Sequence, residues 1–276
     1  MRFLLAQTAN GNAFAVGAED KAGAPLGLVL GHLTDDAEGG PSAQLASIYV
    51  RPDSRGIGIG TELLAAFKQG CMRRGLPQIR ATYMTGQPST HWVEKLFASA
   101  GWAAPKARML VIQATLASIA PAPWMKAYRL PERMEIVAWC DLTPGERDWI
   151  AATQREQSWI PSDLYPFDHE AMCEPVTSLA LKLEGCVVGW VINHRVGNVL
   201  RFTCSFMHRR LQRMGRILLL YNEAVTRMPQ VGLDTGMWTV PVWHPAMAAF
   251  GRRWMAPYAT RFEETRGTHL DLLLQR

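Results

Sequence analysis

The stretch Ala43-Gln44-Leu45-Ala46-Ser47-Ile48-Tyr49-Val50-Arg51-Pro52-Asp53-Ser54-Arg55-Gly56-Ile57-Gly58-Ile59-Gly60-Thr61-Glu62-Leu63-Leu64 decides the fold. Leu45, Ile48, Tyr49 and Val50 make its first part strand-like, and Pro52-Asp53-Ser54 turns the chain. Gly56, Gly58 and Gly60 then open into a helix whose apolar positions Ile59, Leu63, Leu64, Phe67 and Cys71 recur at helical spacing. Glycines at a helix start leave amide groups unshielded, so several N–H donors and the positive end of the helix converge on an anion. Arg55 adds a fixed positive charge beside them. The loop lacks the Lys-Ser/Thr pair of a nucleotide triphosphate site, and its glycine spacing is not that of a dinucleotide fingerprint.

The order Val50-x-Pro52-x-x-Arg55-x-x-Gly58-x-Gly60, followed by Leu63-Leu64, resembles the coenzyme signature of the GCN5-related N-acetyltransferase (GNAT) superfamily. The resemblance implies acetyl-CoA or another acyl-CoA as the coenzyme. Its pyrophosphate would rest on Arg55, Gly56, Ile57, Gly58, Ile59, Gly60 and Thr61, and its thioester would lie along Ile48, Tyr49 and Val50.

With 276 residues, 48% of them hydrophobic, the chain can bury one large or two small cores. No apolar run reaches the length of a membrane span, and the segment Met1 to Ala6 turns polar too early for a secretory signal, so a cytoplasmic protein without a membrane partner is expected. The five cysteines have no Cys-x-x-Cys spacing, which predicts reduced, buried thiols. The histidines form no ligand-spaced cluster, so no metal is expected. The net charge of +5 is spread evenly: residues 1–120 hold 11 basic and 8 acidic residues and the remainder 18 and 16. A basic surface that welcomes an anionic coenzyme explains this charge as well as nucleic acid does, and no nucleic-acid partner is expected.

In chain order, 13–17 and 26–33 read as strands about a hairpin turn, and 35–42 as a surface turn into the organising strand. The helix from Gly58 should end near Arg73-Arg74 with Gly75 as a left-handed cap. A strand over 77–84, a helix over 90–100 and a last strand over 107–116 complete the first half. Only about ten residues precede its first expected strand, so the opening strand and helices of the resembling family are expected to be missing.

Pro121, Pro123 and Pro131 with Trp124 and Tyr128 mark a packed linker, which gives domains at 1–120 and 134–276 about a linker at 121–133. The second half begins with a strand over 135–139 and a helix announced by Thr143-Pro144-Gly145-Glu146, a capping box. An aromatic and acidic loop over 158–170 follows. Strands over 177–183, 186–194 and 199–206, a helix from Ile217, a strand over 233–240, a helix over 244–255 and closing strands over 260–274 repeat the same order. The fold class is therefore mixed α+β: two tandem GNAT-like domains, each a mostly antiparallel mixed sheet flanked by helices. In the second copy Gln212 and Gly215 match the signature, but Ile217 replaces its last glycine and bulky Met214 adjoins the loop. The coenzyme loop of that copy is read as degenerate, and catalysis is assigned to the first.

Acyl transfer from a thioester to an amine needs an unprotonated nucleophile, stabilisation of an oxyanion and a proton for the departing thiolate. Backbone amides near Ser47 to Val50 could serve the oxyanion only if a bulge or splay frees them from sheet pairing. Where the resembling family often carries an acidic tyrosine, this chain has Phe97, so Tyr83 or His91 would replace it. His32, Asp163, Asp168 and His169 are candidate bases. Trp159, Tyr165 and Phe167 are candidate acceptor contacts, on the expectation that the second half walls the acceptor side of the first. The leading expectation is an N-acetyltransferase acting on a small-molecule amine, as a monomer or homodimer. Another acyl-CoA reaction such as decarboxylation, acetylation of a protein amine and a noncatalytic CoA sensor are the alternatives.

Overall fold

The computed structural model describes residues 2–7, 11–36, 40–126, 130–212 and 215–273. Its first strands are β1 (Arg2–Gln7), β2 (Ala13–Glu19), β3 (Pro25–Asp36) and β4 (Gly40–Val50). They lead to α1 (Ile59–Arg73), β5 (Gln78–Met84), α2 (Thr90–Ser99), β6 (Lys106–Thr115) and the single turn α3 (Leu116–Ile119). After these come β7 (Met134–Ala138), α4 (Pro144–Gln157), β8 (Leu179–Leu183), β9 (Cys186–Val196) and β10 (Val199–Met207). The chain ends with α5 (Arg209–Gln212), α6 (Ile217–Arg227), β11 (Thr235–Pro241), α7 (Pro245–Phe250) and β12 (Arg261–Asp271).

Two compact units form, Met1–Arg108 with Glu263–Arg276, and Met109–Phe262. This differs from the expected division at 121–133. In the first unit the strand order is β1-β2-β3-β4-β5-β12, antiparallel except for β4 against β5. In the second it is β6-β11-β10-β9-β8-β7, antiparallel except for β10 against β11. The strand that follows α2 therefore pairs with β11, while a single closing strand, β12, pairs with β5 from Asp271↔Gln78 to Thr265↔Met84. Expectation had kept 107–116 in the first half and several closing strands in the second.

An opening strand, β1, is present and pairs with β2, contrary to expectation. Only residues 8–12 separate the two strands. Both α1 and α2 pack on the core of Phe14, Val16, Val29, Leu45, Ile79 and Leu270, which supplies one covered face. Gly31 is required there, because an added Cβ would run into the Phe67 ring that stacks on Phe14. Gly75, at φ +70°, ends α1 as its position predicts.

The second unit has two covered faces. Leu179, Leu181 and Val191 belong to the core that includes α6, and Ala180, Trp190 and Ile192 to a second core with Ile150 of α4. Thr143 and Glu146 form the expected capping box at the start of α4. Trp124 is 3% exposed in the first of these cores and donates its indole N–H to the Trp254 carbonyl at 3.0 Å, a packing role. The expected helix over 244–255 is α7 continued by a π turn, Gly251–Met255. Cys71 and Cys204 are buried, but Cys140 and Cys186 are exposed, so the expectation of buried thiols holds only for some of them. Residues 37–39 of the expected turn, Tyr128 of the linker and Met214 of the second loop lie outside the described residues.

Leu270 arrives from the C-terminal strand yet is 2% exposed in the first unit's core. Leu270→Ala is expected to cost roughly 2–5 kcal/mol in denaturant unfolding. A cost near zero would show that β12 does not close this sheet.

Candidate active site

In the first unit β4 and β5 pair in parallel only at Ala43↔Ile79, Gln44↔Arg80 and Leu45↔Ala81, and then part. At the point of parting β4 carries a bulge: Gly31 opposes Leu45, Leu30 opposes Ser47, and Ala46 is the extra residue. A bulge shifts the pleat by one. Ile48 and Val50 therefore turn toward the helical core, while Tyr49 stands 53% exposed. The amides of β4 that point toward β5 beyond Leu45 have no strand partner on that side among the described residues, which is the splay that oxyanion stabilisation requires.

The strand leads through Pro52–Ser54 and Arg55 to the glycine loop. Gly56 has φ +81° and Gly58 φ +91°, a left-handed conformation that glycine adopts at no steric cost. Gly58 is the N-cap of α1 and no side chain caps the helix, so its first amides are left for another acceptor. A Cβ on Gly56 or Gly58 would meet nothing within 4 Å, so the space before these amides is open. Ile57 is 75% exposed, and Ile59 is buried as a core anchor of the helix. Gly60 lies against Leu96 and Val50, where an added Cβ would make ordinary contacts of 3.7 and 3.8 Å. The Arg55 Nε donates to the Val50 carbonyl at 3.0 Å and ties the loop to the end of β4. This cradle suits a phosphate-bearing coenzyme.

Tyr83 lies on β5 beyond its last pairing with β4. Its hydroxyl donates to Glu94 Oε1 at 2.9 Å, and Arg266 Nη1 of β12 donates to the same oxygen at 2.7 Å. Arg266 Nε also donates to Glu264 at 2.7 Å. Burial pushes the Tyr83 hydroxyl well above its ordinary range, and the Glu94 carboxylate pushes it further. Burial alone would raise Glu94 as well, but the bonds from Tyr83 and Arg266 outweigh it and hold the carboxyl low. Glu94 and Arg266 were not among the sequence candidates. Glu94, four residues after Thr90 on α2, could have been noticed, but Arg266 is distant in sequence. Phe97 is buried against Trp102 at 4.5 Å and Tyr83 at 5.9 Å, so the β5 hydroxyl stands beside the phenylalanine. His91 is exposed against Trp92, and His32 is exposed on β3; neither makes a side-chain hydrogen bond among the described residues.

The second unit repeats the fork. Its strands β10 and β11 pair from Val199↔Thr235 to Phe202↔Trp238 and then part, with Thr203 as the bulged residue. Leu200 and Phe202 face one core, and Cys204 and Phe206 the other. A cavity of about 730 Å³ opens in this fork, and Asp163 and His169 line it, together with Trp243 and His244, which were missed. Asp163 Oδ2 accepts from His244 Nε2 at 2.7 Å and from Trp243 Nε1 at 3.0 Å. Burial would raise this carboxyl, yet those two bonds hold it below its usual range. His169 Nε2 lies 3.0 Å from the Asp163 carbonyl.

The other loop candidates are not lining residues. Trp159 packs on Trp190 and Phe206, and Phe167 on Trp139 and Tyr165. Asp168 is exposed. Ile217 lines the cavity where the first unit has a glycine, and Arg216 is the N-cap residue of α6.

Among the described residues no group of three His, Cys, Asp or Glu could hold a metal ion, and no helix is long and apolar enough to cross a membrane. The model of the acetyltransferase (GNAT) family matches residues 2–98, about a third of the chain. No curated protein matches. Among solved structures, the chain is similar to a GCN5-related glucosamine N-acetyltransferase region of a fungal multi-domain GH3 β-N-acetylglucosaminidase (TM-score 0.61, 15% identity, 94% of this chain). It spans 33% of that protein. A tandem GNAT protein from the clavulanic acid biosynthesis pathway gives TM-score 0.60 at 17% identity, over 94% of this chain and 82% of that one. A GCN5-related N-acetyltransferase from Sphaerobacter thermophilus gives 0.57 at 18%, over 94% and 80%. With its forked parallel pair, bulged strand and glycine-capped helix, the chain has the GNAT acetyltransferase fold.

Proposed function

We propose that this protein is an acyl-CoA-dependent N-acyltransferase for a small-molecule amine, with acetyl-CoA as the donor and the coenzyme held by the first unit of a tandem pair. The observation that carries the reading is the β4/β5 fork ending in the uncapped loop of Gly56 and Gly58. The family model falls on this unit, and one similar structure is described as a glucosamine N-acetyltransferase region, an enzyme of a small amine. The second copy is read as degenerate because Ile217 replaces the glycine.

The coenzyme supplies an activated acyl thioester. The amides of Gly58, Ile59, Gly60 and Thr61 bind its phosphates, and Arg55 holds the loop against Val50 so that they converge. Amides of β4 between Ser47 and Val50 hold the thioester carbonyl and stabilise charge on its oxygen. Tyr83 keeps its proton throughout the neutral range and in the free enzyme donates it to Glu94; to serve the departing sulfur the hydroxyl turns its proton off that carboxylate, which Arg266 continues to hold.

Gly58→Ala is expected to weaken acetyl-CoA binding about tenfold or more in isothermal calorimetry, since φ +91° disfavours any side chain and its Cβ would enter the open cradle. Gly60→Ala should bind nearly as the parent does. Equal affinities for all three proteins would remove the phosphate role. The parent should take up one acetyl-CoA per chain; two equivalent sites would contradict the degenerate second copy.

Tyr83→Phe should lower kcat about 10- to 100-fold with little change in the KM for acetyl-CoA. Because folding raises the Tyr83 pKa, its contribution to stability is complete below the ordinary value of about 10 and is lost as pH rises toward the folded value. Phenolate absorbance should therefore show that the tyrosine removed in Tyr83→Phe is one that ionises late; loss of an early-ionising group would contradict the Glu94 arrangement.

A further inference from the structure

The second unit's cavity lies where β10 and β11 part. It is elongated along β10: Arg201 lines it before the bulge, and Gly215 and Ile217 line it beyond the strand's end. Met207 lies six residue steps along the strand from Arg201, a rise of roughly 20 Å. Its interior is apolar, with Phe202, Tyr221, Trp238, Val240 and Phe250. Its volume of about 730 Å³ suits a small organic molecule.

Four ionisable side chains other than tyrosine line it: Asp163, His169, Arg201 and His244. Asp163 is satisfied, its Oδ2 held by Trp243 and His244. Arg201 is not. The half-buried guanidinium has no side-chain hydrogen bond or carboxylate partner among the described residues, and its Nε is enclosed without an acceptor. The terminal nitrogens are not among the enclosed atoms, so an unpartnered guanidinium in the cavity wall is open to a ligand through them, and its complement is an anionic oxygen. A coenzyme phosphate is disfavoured as its source, because phosphates belong at the helix start, where Ile217 presents a branched apolar side chain and where the chain is some 20 Å along β10 from Arg201.

We propose that this cavity is a second binding site, for a small organic carboxylate with an apolar, preferably aromatic, body, its carboxylate paired with Arg201. The site belongs wholly to the second unit and stands whether or not the first unit transfers an acyl group.

The probe is 3-phenylpropionate, compared with its neutral amide and with 3-phenylpropylamine, on the full chain in an amine-sulfonate buffer. Binding is read by calorimetry and by tryptophan fluorescence, since Trp238 and Trp243 line the cavity. The carboxylate is expected to bind at least tenfold more tightly than the amide, and the amine more weakly than either. Arg201→Gln should abolish the preference for carboxylate over amide while amide affinity stays within twofold. Equal binding of carboxylate and amide to the parent overturns the proposal, as does no carboxylate binding at 10 mM. Competitive displacement of 3-phenylpropionate by acetyl-CoA with a stoichiometry of two also overturns it, because the cavity would then be a coenzyme slot. If Arg201→Gln fails to fold by circular dichroism, the comparison of the three probes on the parent decides alone.

Discussion

Everything that positions the candidate active site depends on two parallel strands that pair briefly and then part. Neighbouring strands normally satisfy one another's backbone groups along their whole length. Here β4 and β5 share only three register pairs before the bulge at Ala46 shifts the pleat. The shift keeps Ile48 and Val50 on the helical core while β5 moves away, so β4 remains anchored with one edge unpaired. The glycine loop follows at the end of that strand, which brings unpaired strand amides and uncapped helix amides into one line.

Closure of the first sheet is tied to the same chemistry. Its last strand, β12, comes from the far end of the sequence and places Leu270 in the core and Arg266 against Glu94. The ion pair is more than a third exposed on the arginine side, so it adds little stability, and its carboxylate also accepts from Tyr83. Tyr83 stands next to Phe97, the position at which a hydroxyl was missed in the sequence.

The two units share one backbone device, a parallel pair that parts at a bulge. In the second, the fork encloses an apolar chamber with a satisfied carboxylate and an unsatisfied guanidinium, and its loop aromatics are largely consumed by packing. Trp159 shows the cost of reading an aromatic loop as a ligand surface: with Trp149, Trp190, Phe206 and His208 around it, it covers a core.

The glycine loop, its helix, the capping box at Thr143 and the alternation of core residues were legible in the sequence, because each is set by neighbours a few residues away. The order of those elements carried the expectation of two similar halves, but not the division into Met1–Arg108 with Glu263–Arg276 and Met109–Phe262. Tertiary structure alone decided which strand lies beside which: β6 and β12 are both good strands, and local pattern carries no record of the partner each takes. For the same reason Glu94 with Arg266, and Asp163 with His244, became visible only in the fold. Their members are separated by 172 and 81 residues, and a hydrogen bond between them exists only after the elements that carry them have found their places.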